Sequence, residues 1–186
     1  MATVTKTQYT PEDLLEIDDR PMPELVDGEL VERDMGQESD SIAALLIIFL
    51  GSFVLANKLG LVNGSQGSYQ VFPDDPNKVR IPDVSFTRRE RLPNARAAKG
   101  HGRIPPDLAI EVISPNDKAK DVNQKINDFL AAGIPLIWVV YPDSQTVTVF
   151  RRDGSAQKLK VGDFLDGETI LPGFRLEVAA LFEEPA

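Results

Sequence analysis

Pro105-Pro-Asp-Leu-Ala-Ile-Glu-Val-Ile-Ser-Pro115 is the stretch on which the fold turns. Residues 108–113 are too continuously apolar for a strand with one wet face, so they predict a central strand buried on both sides. Upstream, residues 81–87 predict a second strand, with Asp83 opening it directly after Pro82, and residues 61–72 a third with glycine interruptions. A long helix precedes these three: Ile42, Leu45, Leu46, Phe49, Leu50, Phe53 and Val54 recur at helical spacing between 39 and 58, and Gly60 stops the run. Downstream, residues 117–132 read as an amphipathic helix with Val122, Ile126, Phe129 and Leu130 inward, ended by Gly133, and residues 136–141 return as an apolar strand. The middle of the chain is therefore α-β-β-β-α-β, a mixed α/β layout. In front of it, Thr10-Pro-Glu-Asp13 starts a short helix, and Glu24-Leu-Val-Asp-Gly-Glu-Leu-Val31 predicts a hairpin turning at Asp27-Gly28. Behind it, turn-punctuated segments around 146–151, 157–161 and up to 182 give a β extension. Residues 1–186 read as a single domain.

Composition narrows the chemistry. The chain has 186 residues, no cysteine and one histidine, His101. Thiol nucleophiles, disulfides, iron–sulfur clusters and cysteine-bound zinc are excluded, as is any site needing two imidazoles. His101 stands between Gly100 and Gly102 and reads as a loop residue rather than a general base; Trp138 reads as core. The apolar run of residues 42–50 is far shorter than the ~20 residues of a spanning helix, and the polar N-terminus lacks a signal core, so a cytoplasmic location without membrane attachment is the simplest expectation. Carboxylates are left to carry most of any reaction.

Two carboxylates stand out. Asp83 sits at a strand start, and Glu111 interrupts the buried run, where its ionised form is costly unless compensated. One compensation is a divalent cation, since magnesium keeps several waters and takes one or two carboxylates plus substrate phosphate. The other is an ordinary cap or salt bridge.

The placement of Asp83 and Glu111 on adjacent strands of the α-β-β-β-α-β unit resembles the PD-(D/E)XK nuclease superfamily, with Pro82-Asp83 and Glu111-Val112-Ile113 as the two halves of its motif. More closely, the chain is similar to the Uma-type putative restriction endonuclease family. The matching stretches are Glu24 to Glu32, Arg80-Ile-Pro-Asp-Val84, Pro105 to Pro115, Lys125 with Ala131-Ala-Gly-Ile134, Trp138 and Leu171-Pro-Gly-Phe174, in the family's order over nearly the whole chain. The resemblance implies a restriction-endonuclease-like core with an N-terminal hairpin and a C-terminal β extension. It implies a Mg²⁺-dependent endonuclease acting on DNA, with Mn²⁺ as a substitute, and a homodimer or higher homo-oligomer that reaches both strands. The superfamily's lysine position, two after the glutamate, holds Ile113, and the family supplies the lysine from the following helix, at Lys125. Lys118 and Lys120 lie nearer that helix's solvent-facing start. Without the resemblance, Lys125 reads as half of a helical ion pair with Asp121. Two weaker candidates follow from the same resemblance: Asp40, where the family often has a histidine, and Glu29, which equally suits a solvated hairpin position.

The overall charge of −9 and pI of about 4.7 argue against coating a polyanion. Position changes this: residues 78–103 hold eight basic residues against two acids, a local +6 that leaves −15 for the remainder. Arg80, Arg88, Arg89, Arg91, Arg96, Lys99 and Arg103 are expected to grip a nucleic-acid backbone around Asp83, unless the segment is merely a solvated loop. Asp83, Glu111 and the Val112 carbonyl are expected to hold the metal, and Lys125 to orient the attacking water. A nuclease fold kept as a non-catalytic binding or regulatory module is the alternative. A carboxylate-pair glycosidase is disfavoured by the low aromatic content of 7%.

Overall fold

The computed structural model describes residues 8–18, 21–33 and 36–183. Helix α1 (Pro11–Glu16) begins at Thr10, whose hydroxyl accepts from the Asp13 amide while the Asp13 carboxylate accepts from the Thr10 amide, a complete capping box. Strands β1 (Glu24–Val26) and β2 (Glu29–Val31) form the expected hairpin. Asp27 and Gly28 both adopt positive φ, 52° and 80°, the pairing that matches the twist of the two strands. The long helix α2 (Gln37–Asn57) ends at Lys58 in the left-handed conformation.

A six-stranded mixed sheet follows: β3 (Gly60–Asn63), β4 (Val84–Arg88), β5 (Leu108–Val112), β6 (Leu136–Tyr141), β7 (Thr146–Arg151) and β8 (Ala156–Lys160), neighbours in that order. Only β5 and β6 pair in parallel, joined by helix α3 (Ala119–Ala131). The α-β-β-β-α-β core is thus present. A small ribbon of β9 (Phe164–Asp166) and β10 (Arg175–Glu177) forms the C-terminal extension.

Strand alternation divides the core between two faces. Leu108, Ile110 and Val112 of β5 join Ile42, Leu46, Leu50 and Val54 of α2, whereas Ala109 joins Ile126 and Phe129 of α3. Leu46 and Leu50 are fully buried, each burial contributing about 1.5–3 kcal/mol. On length and composition α2 could cross a membrane, a longer apolar helix than the 42–50 run suggested, but its buried stripe is that of a core helix. Trp138 is fully buried, its ring 6.1 Å from that of Phe174.

Two expectations change. The strand expected over residues 61–72 ends at Asn63, because the chain turns at Gly64 and Gly67, with the Gly67 amide donating to the Gly64 carbonyl at 2.9 Å. Tyr69 then makes only isolated bridges to Arg80 and Gly102. Asp83 immediately precedes its strand instead of opening it, since β4 starts at Val84. The long basic loop contains two single 3₁₀ turns, Arg89–Arg91 and Pro93–Ala95.

Candidate active site

Sheet register brings the two carboxylates together. β4 and β5 are antiparallel with Val84 opposite Ile110, so Asp83, one residue before Val84, and Glu111, one residue after Ile110, fall at facing positions. Asp83 Oδ2 accepts from the Val112 amide at 2.8 Å, tying the two strand ends. Glu111 has the parity of Ala109 and therefore points to the α3 side of the sheet.

Lys125 reaches Glu111 from that helix. Its Nζ donates to Glu111 Oε2 at 2.8 Å and the Ile81 carbonyl at 2.9 Å, and lies 2.9 Å from Glu24 Oε1, so the ammonium has three acceptors for its three protons. The helical pair with Asp121 gives way to this tertiary arrangement. Glu24 comes from β1, fixed because Leu25 exchanges backbone hydrogen bonds with Val79. Its Oε1 also accepts from the Ile81 amide at 2.7 Å, and its Oε2 from Arg80 Nη1 at 2.9 Å. Arg80 Nε continues to Asp128 Oδ2 at 2.8 Å, and Lys78 to Asp128 Oδ1 at 3.0 Å. A buried chain of alternating charge thus runs behind the site. Arg33 spans Asp83 Oδ1 at 2.6 Å and the Ser65 carbonyl at 2.7 Å.

These charges set unequal protonation. Burial opposes the ionised form of Glu24, but Lys125 and Arg80 outweigh it and bring its pKa down to about 2. At Glu111 burial prevails: Lys125 offsets it in part, the charges of Asp83 and Glu24 reinforce it, and the pKa is pushed up to about 8. Burial also opposes the charge on Lys125, yet Glu111 and Glu24 more than compensate and raise its pKa. Glu111 Oε1 is buried with no hydrogen-bond partner.

Asp83, Glu111, Val112, Arg33, Glu24 and Lys125 line one cavity of about 270 Å³. Its donor set fits a hard divalent cation: two facing carboxylates, one with an oxygen that no described residue satisfies. Among the described residues no cluster of three or more His, Asp or Glu side chains is arranged around a metal position, so two carboxylates are the acidic donor set here.

Of the other expected site residues only Arg80 also lines this cavity, and the rest fall elsewhere. Arg80 is 5% exposed and saturated by Glu24 and Asp128, so it is a scaffold charge and not a backbone contact for nucleic acid. Arg91 pairs with Asp107 at 2.8 Å and Arg88 donates to the Thr169 carbonyl at 2.7 Å. Arg89, Arg96, Lys99 and Arg103 are exposed. None of residues 88–103 lines the Asp83 cavity; the basic loop surrounds Asp83 in sequence and not in space. Glu29 and Asp40 are exposed and outside the cavity. His101 is buried as a loop anchor, Nε2 donating to the Pro11 carbonyl and Nδ1 meeting the Ser68 hydroxyl, both at 2.8 Å.

Glu24, Glu32, Arg33, Asn116 and Asp117 also line the cavity and are not among the sequence-based candidates. Glu24 stands at the head of the hairpin stretch from which Glu29 was drawn, after the Pro21 and Pro23 breaks, and that placement was the available signal. Nothing local marks Arg33, whose partner is 50 residues away.

Comparison with known proteins agrees with this architecture. A family model, Uma2, described as a putative restriction endonuclease, matches residues 11–179. The crystal structure of a putative nuclease belonging to DUF820 from Anabaena variabilis ATCC 29413 is similar with a TM-score of 0.79 at 22% identity, over 94% of this chain and 97% of that one. At that identity the likeness speaks for the fold. No curated protein matches the chain.

Proposed function

Since this chain belongs to the Uma2 family of putative restriction endonucleases, we propose that it is a Mg²⁺-dependent endonuclease hydrolysing phosphodiester bonds in DNA. Asp83 and Glu111, with the Val112 carbonyl, would hold the ion. When bound, Mg²⁺ (or Mn²⁺) would polarise the scissile phosphate and make a coordinated water acidic.

The observation that carries this reading is the division of labour at Glu111: Oε2 is taken by Lys125, and Oε1 is buried without a partner beside Asp83. Lys125 supplies the positive charge that works against burial and keeps Glu111 ionisable. With its three protons on Glu111, Glu24 and the Ile81 carbonyl, it would orient a nucleophilic water only by exchanging one of these contacts for it, while its charge would stabilise negative charge developing on the phosphate. Glu24 and the Ile81 carbonyl fix the direction of that ammonium. Arg33 holds Asp83 in place through Oδ1. A homodimer would present two such sites to opposite strands.

Cleavage of plasmid and single-stranded DNA in Mg²⁺ or Mn²⁺ by wild type, Asp83→Asn and Glu111→Gln tests the assignment. Loss of cleavage in both variants is expected, and equal activity in all three would sink it. A specific feature favours the non-catalytic alternative: Arg33 and the Val112 amide already satisfy both oxygens of Asp83. Calorimetry decides between them, because a binding module predicts no Asp83-dependent uptake of Mg²⁺ or Mn²⁺.

A further inference from the structure

A second cavity, larger than the one at Asp83, lies elsewhere among the described residues. It has a volume of about 610 Å³ and lies between the loop of residues 64–68 and residues 92–104. We propose that it takes one nucleobase of the substrate strand, with Arg96 and Arg103 on the phosphates either side of that base; this rests on the nuclease reading above.

Three observations carry it. The walls carry the apolar side chains of Leu61, Ala97, Ala98 and Ile104 together with glycine backbone. Gly102 is glycine by necessity, since a Cβ there would come within 2.8 Å of the Tyr69 ring. That ring is itself fixed, its hydroxyl held by Asn63 Nδ2 at 3.0 Å and Ser85 Oγ at 2.8 Å. The wall is therefore preformed.

The rim carries uncompensated positive charge. Arg88 and Arg91 spend theirs on Asp107 at the base of the loop. Arg96, Lys99 and Arg103, by contrast, pair with no carboxylate among the described residues, and Arg96 and Arg103 line the cavity. An apolar slot flanked by free guanidinium groups suits a ligand with an uncharged planar face and anionic groups at its edges, which is the chemistry of a nucleotide unit. Guanidinium planes can also stack on a base.

The third observation joins this cavity to the site. Arg33 binds Asp83 Oδ1 through one terminal nitrogen and the Ser65 carbonyl, in the cavity wall, through the other. The two pockets are thus separated by the width of one guanidinium group and its contacts. A strand with a phosphate at Asp83 has a neighbouring nucleotide at the Ser65 wall. The basic loop then engages substrate beside the carboxylates rather than over them.

The test is binding in EDTA, where cleavage does not interfere, of a short single strand carrying one 2-aminopurine, compared with the same strand carrying an abasic site. Fluorescence of the 2-aminopurine should change on binding, and the abasic strand should bind about tenfold more weakly, the scale of one lost base contact. Ala98→Trp, which puts an indole ring on the cavity wall in place of a methyl group, should reduce affinity for the 2-aminopurine strand by a similar factor. Arg96→Ala with Arg103→Ala should weaken both strands. Equal binding of the two strands by wild type overturns the inference, as does unchanged affinity in an Ala98→Trp protein with wild-type melting. If Ala98→Trp does not fold, the abasic comparison in wild type decides alone. Displacement of the probe by dodecyl phosphate as readily as by adenosine monophosphate would make the cavity a general site for apolar anions and also overturn it. DNA cleavage by wild type with no such base dependence leaves the nuclease reading intact and removes only this one. Absence of metal-dependent cleavage removes the nuclease reading, while the base dependence is still read without it.

Discussion

Replacing Glu111 by Gln should make the metal-free protein more stable, and increasingly so as pH rises. Glu111 has its pKa moved from 4.5 to about 8 by burial and the neighbouring Asp83 and Glu24 charges. The folded state therefore holds a proton that the unfolded chain gives up. Stability from this group is fully present below pH 4.5 and is lost as pH rises through about 8. At about 1.36 kcal/mol per pH unit, the loss approaches roughly 3 kcal/mol near pH 7 and roughly 4 kcal/mol near pH 8. Gln is neutral throughout, and its carbonyl can still accept from Lys125. Urea unfolding of both proteins in EDTA, at steps from about pH 5 to about pH 8, should give similar stabilities at the acid end. The variant should pull ahead by several kcal/mol at the alkaline end. Other titrating groups largely cancel in the difference. Addition of Mn²⁺ at the alkaline end should restore stability to wild type and not to the variant. Parallel curves across the whole range, or a variant less stable than wild type near pH 8, would refute the charge reading of Glu111.

Arg80→Ala leaves Glu24 and Asp128 buried without their shared partner, and should cost about 3–5 kcal/mol in urea unfolding; a loss under about 1 kcal/mol would mean the charge chain behind the site is not a structural element. Glu29→Ala and Asp40→Ala should leave DNA cleavage at the wild-type rate, since both side chains are exposed and outside the cavity; a large rate loss in either would put the active site elsewhere. With Arg89, Arg96, Lys99 and Arg103 as the exposed cations of the basic segment, duplex binding should fall with salt at a log–log slope no steeper than about −4, whereas all eight basic residues acting together would give about −7.

What was legible in the sequence was local chemistry. The Asp27-Gly28 pair dictates its hairpin, the Thr10 and Asp13 side chains cap α1, and residues 108–113, apolar but for Glu111, read as a doubly covered strand. The adjacency of the strands carrying Asp83 and Glu111 was legible too, but their facing was not, because it depends on the register that sets Val84 opposite Ile110. The strand expected to reach residue 72 was not, since two glycines that could have been bulges make a turn instead. The partners of the site were hidden for a different reason. Arg33 with Asp83, and Arg80 with Asp128, join residues 50 and 48 apart. No periodicity or motif marks which of 29 acids meets which of 20 cations.

That hidden pairing alters what the local charge means. Read along the chain, residues 78–103 form one basic block; in space the block divides by function. Lys78 and Arg80 turn inward to Asp128 and Glu24, Arg88 and Arg91 brace the loop on Asp107, and only the remaining cations face solvent. The inward pair acts on the site at one remove. By compensating Glu24, Arg80 helps hold its pKa near 2, so Glu24 stays ionised and claims part of the charge on Lys125. Glu111 shares the same ammonium but retains its proton, with a pKa near 8. Two carboxylates on one lysine are thus driven apart by their surroundings, the pattern by which acid and base roles are divided within one site. Glu24 supplies the permanent anion that fixes Lys125, and Glu111 is left as the carboxylate whose charge burial opposes. The cost of that division falls on Glu111, whose Oε1 is buried with no hydrogen-bond partner among the described residues.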